Sequence, residues 1–288
     1  MQTAFSCAGK ILDLSHPVVM GILNITPDSF YDGGYYPSIP DQLSQAEKML
    51  NEGASIIDIG AISTRPGAGF VDEEEEISRL LPILTAIKNH FPDTIVSVDT
   101  FRSSVAKIVI ENGAGMINDI CGGRYDLNMI GTIQSAKIPY IMMHMQGDPG
   151  NMQVSPHYQN IVEDITSFFR EQIGKFQNGF SQIILDPGFG FGKTVEHNFQ
   201  LLHEFQTFKT MGFRLMAGLS RKSMINRVIY TKPSEALNGT TVLNTIALMK
   251  GADILRVHDV REAVQAITLV SSIPSLKAED LVTDLNPK

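Results

Sequence analysis

The sequence predicts an α/β fold: a (β/α)8 TIM barrel, a closed parallel eight-stranded barrel with a short N-terminal hairpin. Three observations carry that prediction. Short runs rich in Ile, Val, Leu or Met recur eight times and alternate with segments of helical period. Glycines stand where a helix must stop before the next strand. Several apolar runs end in a polar residue, as in Val96-Ser97-Val98-Asp99, Met116-Ile117-Asn118-Asp119, Ile183-Ile184-Leu185-Asp186, Leu219-Ser220-Arg221-Lys222 and Leu255-Arg256-Val257-His258. Buried strands with polar C-terminal ends are the layout of a parallel α/β enzyme that does its chemistry at one rim. An open doubly wound sheet is the alternative. The strand count argues against it, as does the lack of a G-x-G-x-x-G after the first strand.

The eight strands are expected at 18–25, 55–60, 94–99, 116–120, 138–144, 183–187, 214–219 and 253–258. Helices are expected at 40–53, 74–91, 103–113, 127–137, 157–178, 195–210, 234–250 and 260–272. In the first, Leu43, Ala46, Met49 and Leu50 share a face; in the second, Ile77, Leu80, Leu81, Leu84 and Ile87 do. Gly53, Gly113, Gly212 and Gly251 sit at the stops. The acidic run Asp72-Glu73-Glu74-Glu75-Glu76 opens a helix, where Asp72 can cap and the carboxylates suit the positive end of the dipole. Residues 1–17 precede the first strand, and Lys10-Ile11-Leu12-Asp13-Leu14 can form a small hairpin that plugs the bottom of the barrel. No linker or repeat of fixed period divides the chain, so residues 1–288 read as a single domain ending in a tail at 275–288.

Composition narrows the class. The chain has 288 residues, 43% hydrophobic and 19% charged, enough to bury a large core. Its net charge of −8 disfavours nucleic acid or an anionic membrane as partner, so an anionic substrate must be held by a few placed cations. Two cysteines without a C-x-x-C read as free thiols of a reducing, cytoplasmic setting. No apolar run is long enough to span a membrane, and the first residues do not read as a signal peptide.

In a closed barrel the last strand lies beside the first, and the first beside the second. Arg256 and His258 are two apart and face one way. With Asn24 and with Arg65 in the loop after strand two, they can converge as an anion pocket, which the helix starting near Asp259 supplements with backbone N–H donors. The alternative is that Arg256 merely pairs with Asp259 or Asp253. Asn24 offers a neutral oxygen, adequate as one ligand of an Mg2+ otherwise held by phosphates and water. Asp99, Asn118, Asp186 and Lys222 end strands three, four, six and seven and would ring the mouth. Two carboxylates and an amide suit an amidine-like N–C–NH2 edge, and a carboxylate also favours a developing cation. Each has a plainer reading: a helix cap for Asp99, turn chemistry for Asn118-Asp119, a simple turn at Asp186-Pro187-Gly188, a surface ion pair for Lys222. A Schiff-base role for Lys222 stays open. Lys193-Thr194 is not a P-loop, because the pattern needs glycine where Pro187 stands. His144, inside Met142-Met143-His144-Met145, reads as a core histidine. The long glycine-rich segments 26–34 and 63–69 lie on the same rim and read as lids.

Taken together, the motifs resemble the dihydropteroate synthase family over about residues 5 to 275. The carriers are Met20-Gly21-Ile22-Leu23-Asn24-Ile25-Thr26-Pro27-Asp28-Ser29-Phe30 with Asp32-Gly33-Gly34; Asp58-Ile59-Gly60 with Ser63-Thr64-Arg65-Pro66-Gly67; Asp186 through Lys193; and Ser220-Arg221-Lys222-Ser223. The resemblance implies condensation of 6-hydroxymethyl-7,8-dihydropterin diphosphate with p-aminobenzoate, giving 7,8-dihydropteroate and pyrophosphate through a pterin cation. It implies that Asp99, Asn118, Met143, Asp186, Phe191 and Lys222 hold the pterin. Asn24, Arg65, Arg256 and His258 would hold the diphosphate, with Mg2+ on Asn24. Phe30, Thr64, Pro66, Phe191 and Ser223 would shape the p-aminobenzoate pocket, which sulfonamides would enter, and Asp32 would steady the closed lid. A homodimer through the last helices is implied as well. One departure is Ile62, where many relatives carry an acidic residue. Two neighbouring readings share the pterin clamp: a pterin-dependent methyltransferase barrel and a non-catalytic pterin-binding paralogue.

Overall fold

The computed structural model describes residues 2–25, 38–62, 71–147, 152 and 155–274. Eight parallel strands close a barrel in chain order: β3 (Val18–Asn24), β4 (Ile56–Gly60), β5 (Ile95–Asp99), β6 (Met116–Asp119), β7 (Tyr140–Met143), β8 (Ile183–Asp186), β9 (Arg214–Ala217) and β10 (Ile254–Val257). Closure is made by β10 pairing with β3, with Ile254 opposite Val18 and Arg256 opposite Met20.

The inner wall explains where the site must be. Each strand contributes one apolar residue to a layer near the bottom: Met20, Ile56, Ile95, Met116, Ile141, Ile184, Met216 and Ile254. A hairpin of β1 (Ala4–Cys7) and β2 (Lys10–Asp13) closes that end and packs Phe5, Cys7, Leu12 and Leu14 against the layer. Its two-residue turn has Ala8 at φ 47° and Gly9 at φ 84°, the left-handed pair that matches the twist of a tight hairpin. Side chains alternate along a strand, so the next inward positions lie two residues on. They are Ile22, Asp58, Ser97, Asn118, Met143, Asp186, Gly218 and Arg256. One step along the strands turns an oily plug into a polar floor.

The outer wall is covered by α1 (Ile39–Asn51), α2 (Glu73–His90), α3 (Ser103–Glu111), α4 (Met129–Ala136), α5 (Ile161–Ile173), α6 (Val195–His203), α7 (Ser223–Ile229), α8 (Leu237–Met249) and α9 (Val260–Ser271). The glycine stops hold: Gly53, Gly113, Gly212 and Gly251 all have positive φ just past a helix. Asp72 caps α2 by accepting from Glu75 N at 2.8 Å. Three expectations are corrected. The segment 195–210 is an α-helix followed by a 3-10 helix, Phe205–Met211. The helix expected at 157–178 covers only Ile161–Ile173, with Asn160 as its cap. The short helix α7 was not expected, since seven residues are too few to show a helical period.

Phe5 is 1% exposed at the bottom of the barrel. Phe5→Ala is expected to lower unfolding free energy by about 3 kcal/mol in a denaturant titration. An unchanged midpoint would mean that the hairpin does not seal the core.

Candidate active site

The polar floor is organised around Arg256. Its Nε donates to Asp58 Oδ2 at 2.7 Å and its Nη2 to Asp99 Oδ2 at 3.2 Å. Asn118 Nδ2 donates to the same Asp58 oxygen at 3.1 Å. Four strands, β4, β5, β6 and β10, thus meet in one hydrogen-bonded cluster. Asp259 and Asp253, the partners considered for Arg256 from sequence, are engaged elsewhere: Asp259 with Arg221 at 2.5 and 2.9 Å, and Asp253 with Arg214 at 2.7 Å and with Lys209. Asp99 has room to reach Arg256 because Gly60 stands beside it. A Cβ at that position would lie 3.3 Å from Asp99 Cβ.

Burial sets the electrostatics. It lifts the Asp99 carboxyl to about 7, with Arg256 opposing the rise and the neighbouring carboxylates adding to it. Asp186 is raised for the same first reason, opposed by Lys222. Burial brings Lys222 down to about 8, against the pull of Asp186. For Arg256 burial disfavours the charge, but Asp58, Asp99 and Asp186 together outweigh it and raise its pKa.

The glycine loop after β8 forms the other side. Asp186 Oδ1 accepts from Gly188 N at 2.8 Å. Lys222 donates to the Phe189 carbonyl, and its ammonium sits 4.3 Å from the centre of the Phe191 ring, a cation–π contact. Phe191 and Ile62 both pack on a buried apolar cluster that includes Met143. The loop is held tightly against the segment after β7. Gly188 has φ +73°, and a Cβ there would lie 2.0 Å from the His144 carbonyl oxygen. Lys193 is buried beneath, within 2.8 Å of Gly188 O, 3.0 Å of Phe191 O and 3.2 Å of His144 Nδ1. His144 is the core histidine expected; burial, then Lys193, hold its pKa well below the ordinary value.

At the β9–β10–β3 side, Ser220 Oγ lies 2.9 Å from His258 Nδ1, and His258 N donates to the same hydroxyl at 3.2 Å. His258 and Asn24 are exposed at their strand ends, and Ser223 is exposed at the start of α7. Asp32, Phe30, Arg65, Thr64 and Pro66 lie outside the described residues.

This arrangement can be set beside known proteins. The family described as pterin binding enzyme matches residues 20–258, from β3 to the tip of β10. Dihydropteroate synthase of Escherichia coli (strain K12) is 44% identical over 275 residues, covering 93% of this chain and 96% of the relative. The chain belongs to the dihydropteroate synthase family of pterin-binding enzymes. Solved members superpose closely. The Yersinia pestis dihydropteroate synthase in a sulfonamide drug complex has TM-score 0.88 and 41% identity, over 93% of this chain and 98% of its own. The Xanthomonas albilineans enzyme with 4-aminobenzoic acid has TM-score 0.87 and 36% identity, over 95% and 100%.

Three residues of the cluster carry no role in the sequence alone. Asp58 belongs to a motif there, although a carboxylate in the middle of the apolar run 55–60 is itself a signal. Ser220 stood in the block before Lys222, yet its reach to His258 needs the barrel closed. Lys193 suggests only a phosphate loop, which Pro187 rules out. The Asn118-Asp119 pair divides. Asn118 faces the mouth, while Asp119 does turn chemistry, accepting from Cys121 N at 2.7 Å, Gly123 N at 2.8 Å and Tyr140 OH at 2.6 Å. The acidic run of α2 does more than meet a dipole. Glu76 is buried and paired with Arg102, whose Nη2 holds the Val71 carbonyl at 2.7 Å, while Arg79 pairs with Glu75 and holds the Ala61 carbonyl at 3.0 Å.

Carbon-13 NMR of the Asp99 carboxyl should show a midpoint near 7 in the free protein. Arg256→Met removes the opposing charge and should move that midpoint upward. A carboxyl titrating near its ordinary value of about 4 in both proteins would contradict the cluster.

Proposed function

We propose that this protein is a dihydropteroate synthase in folate biosynthesis, joining 6-hydroxymethyl-7,8-dihydropterin diphosphate to p-aminobenzoate. The observation that carries this reading is the barrel mouth: Asp99, Asn118 and Asp186 present acceptors to a ring edge while Arg256 and Lys222 stand beside them, in a chain of that family. The acceptors match the N–H groups of an amino-oxo pterin. Met143 and Phe191 give its flat faces an apolar bed. Arg256, His258, Asn24 and Arg65 are assigned to the diphosphate.

The chemistry needs no covalent enzyme intermediate. The bond between the pterin methylene carbon and the diphosphate oxygen breaks, and the electron pair leaves with pyrophosphate. The ring delocalises the cation left behind, and the Asp99 and Asp186 carboxylates stabilise it through space. The arylamine nitrogen then gives its lone pair to that carbon, a C–N bond forms, and the nitrogen loses a proton. Lys222, spanning the Phe189 carbonyl and the Phe191 ring, fixes one edge of the pocket. Phe191 and Ser223 are assigned to p-aminobenzoate together with Phe30, Thr64 and Pro66, and Asp32 to steadying the lid. Sulfonamides would compete there, a reading supported by the drug complex of the Yersinia pestis relative.

Mg2+ fits this site as an ion arriving with the diphosphate. The described residues include no group of three or more His, Cys, Asp or Glu placed to cage a metal, and Asn24 supplies one exposed neutral oxygen. When bound, the ion would offset charge on the departing pyrophosphate. A homodimer through α8 and α9 is part of the proposal, supported by Val242, Met249, Leu269 and Ile273, all exposed apolar residues on or just after those helices. A cytoplasmic location is proposed on two free cysteines, both buried. Among the described residues no helix is long and apolar enough to cross a membrane.

Incubation with pterin diphosphate, labelled p-aminobenzoate and Mg2+ should yield labelled dihydropteroate. Pterin binding without product would instead mark a binding protein. Asp186→Asn keeps the shape and removes a charge most useful once the ring is cationic, so kcat should fall by about 100-fold or more; wild-type turnover would exclude that role. The active free enzyme needs Asp99 ionised and Lys222 protonated. With the two pKa values at about 7 and about 8, kcat/KM should rise through the first and fall through the second, a narrow bell seen in initial rates. A flat profile across this range would refute the assignment of both groups.

A further inference from the structure

Asp58 takes no step in the reaction above, yet it sits at the centre of the mouth cluster. It is fully buried in the middle of β4. One oxygen, Oδ2, accepts from two other strands, from Arg256 Nε at 2.7 Å and from Asn118 Nδ2 at 3.1 Å. Among the described residues, Asp58 Oδ1 and Asn118 Oδ1 are both buried without a hydrogen-bond partner.

An asparagine side chain has two faces related by a half-turn, one ending in a donor and one in an acceptor. Left alone, Asn118 could offer either to a ligand. A carboxylate bound to a guanidinium carries no proton and can only accept. The amide beside Asp58 must therefore turn its NH2 toward it, which directs the carbonyl oxygen away from it and leaves that oxygen for a ligand. We infer that Asp58 is a positioning residue that locks Asn118 as an acceptor and so makes the site selective for a ring that bears an exocyclic amino group. This rests on the reading that a pterin binds at this mouth. With Asn118 held this way, Asp99, Asp186 and Asn118 all present oxygen acceptors, and a ring whose amino group is replaced by a carbonyl meets acceptor with acceptor.

The test compares two ring ligands by calorimetry: 6-hydroxymethylpterin and 6-hydroxymethyllumazine, the same bicycle with a carbonyl in place of the 2-amino group. The proteins are wild type, Asp58→Asn, Asn118→Asp and the double swap Asp58→Asn/Asn118→Asp, with thermal unfolding followed for each. Wild type should prefer the pterin by about tenfold or more. In Asp58→Asn the neighbouring group can donate or accept, Asn118 is free to turn over, and the preference should collapse. Asn118→Asp sets two carboxylates against each other and should lose pterin affinity. In the double swap a donor at 58 faces an acceptor at 118, position 118 again shows oxygen to the ligand, and the preference should return. A general packing role would lower the melting temperature in the single variants and give no such return.

The inference is overturned if folded Asp58→Asn keeps the full preference, or if the double swap stays as unselective as Asp58→Asn. Should Asp58→Asn not fold, the wild type and the double swap decide: equal affinity for the two rings in either protein is the refuting result. Failure of wild type to bind 6-hydroxymethylpterin sinks the reading that a pterin occupies this mouth and this inference together. Product formation with an unaltered ring preference in the variants sinks only the role of Asp58.

Discussion

The mouth of this barrel depends on one guanidinium shared between two carboxylates. A parallel barrel covered by helices buries its strands on both faces, so an inward-facing Asp has little water to solvate it. Asp58 and Asp99 are tolerated because Arg256 reaches both, at 2.7 and 3.2 Å. Removing one member of such a set leaves a buried charge uncompensated, which costs more than the pair itself contributes. The polar groups of the mouth are thus groups the fold cannot lose freely. The same burial raises the Asp99 carboxyl and lowers the Lys222 ammonium, so the two pKa values draw together. The result is a site whose charges are poised near working pH rather than far from it.

A second constraint stiffens the loop that carries Phe189 and Phe191. Gly188 and Gly192 have positive φ and lie so close to the backbone at His144 and Gln146 that a side chain at either would collide with a carbonyl. The Lys193 ammonium is surrounded by carbonyl oxygens of both segments. Burial depresses its pKa, and Asp186 works against that shift. A loop fixed in this way delivers the Phe189 carbonyl and the Phe191 ring to Lys222 already in place. The proposed reaction would draw on such an arrangement, because groups that must reorganise during reaction lose their electrostatic advantage.

The two ends of the barrel divide the work. Below, one apolar residue from each strand and four from the hairpin make a sealed plug. Above, two residues further on, the wall turns polar. The helices contribute more than cover. α2 uses Glu75 and Glu76 to hold Arg79 and Arg102 on the carbonyls of Ala61 and Val71, so the approach to the mouth after β4 is tied to a helix at both of its described ends.

Periodicity and capping are local, so the sequence alone determined the eightfold strand–helix alternation, the helix stops at Gly53, Gly113, Gly212 and Gly251, and the cap at Asp72. It also determined which residue types stand at the strand tips, since alternation places Asp99, Asn118, Asp186 and Arg256 without knowledge of their neighbours. Partnership was decided only by tertiary structure. Asp58 and Arg256 are 198 residues apart, and closing β10 onto β3 is what brings them within 2.7 Å. The same closure sends Asp259 to Arg221 and Asp253 to Arg214, choices that no spacing encodes. The short helix α7, the burial of Lys193 and the orientation of the Asn118 amide share that origin, because each is set by what the folded chain packs against it rather than by its own sequence neighbours.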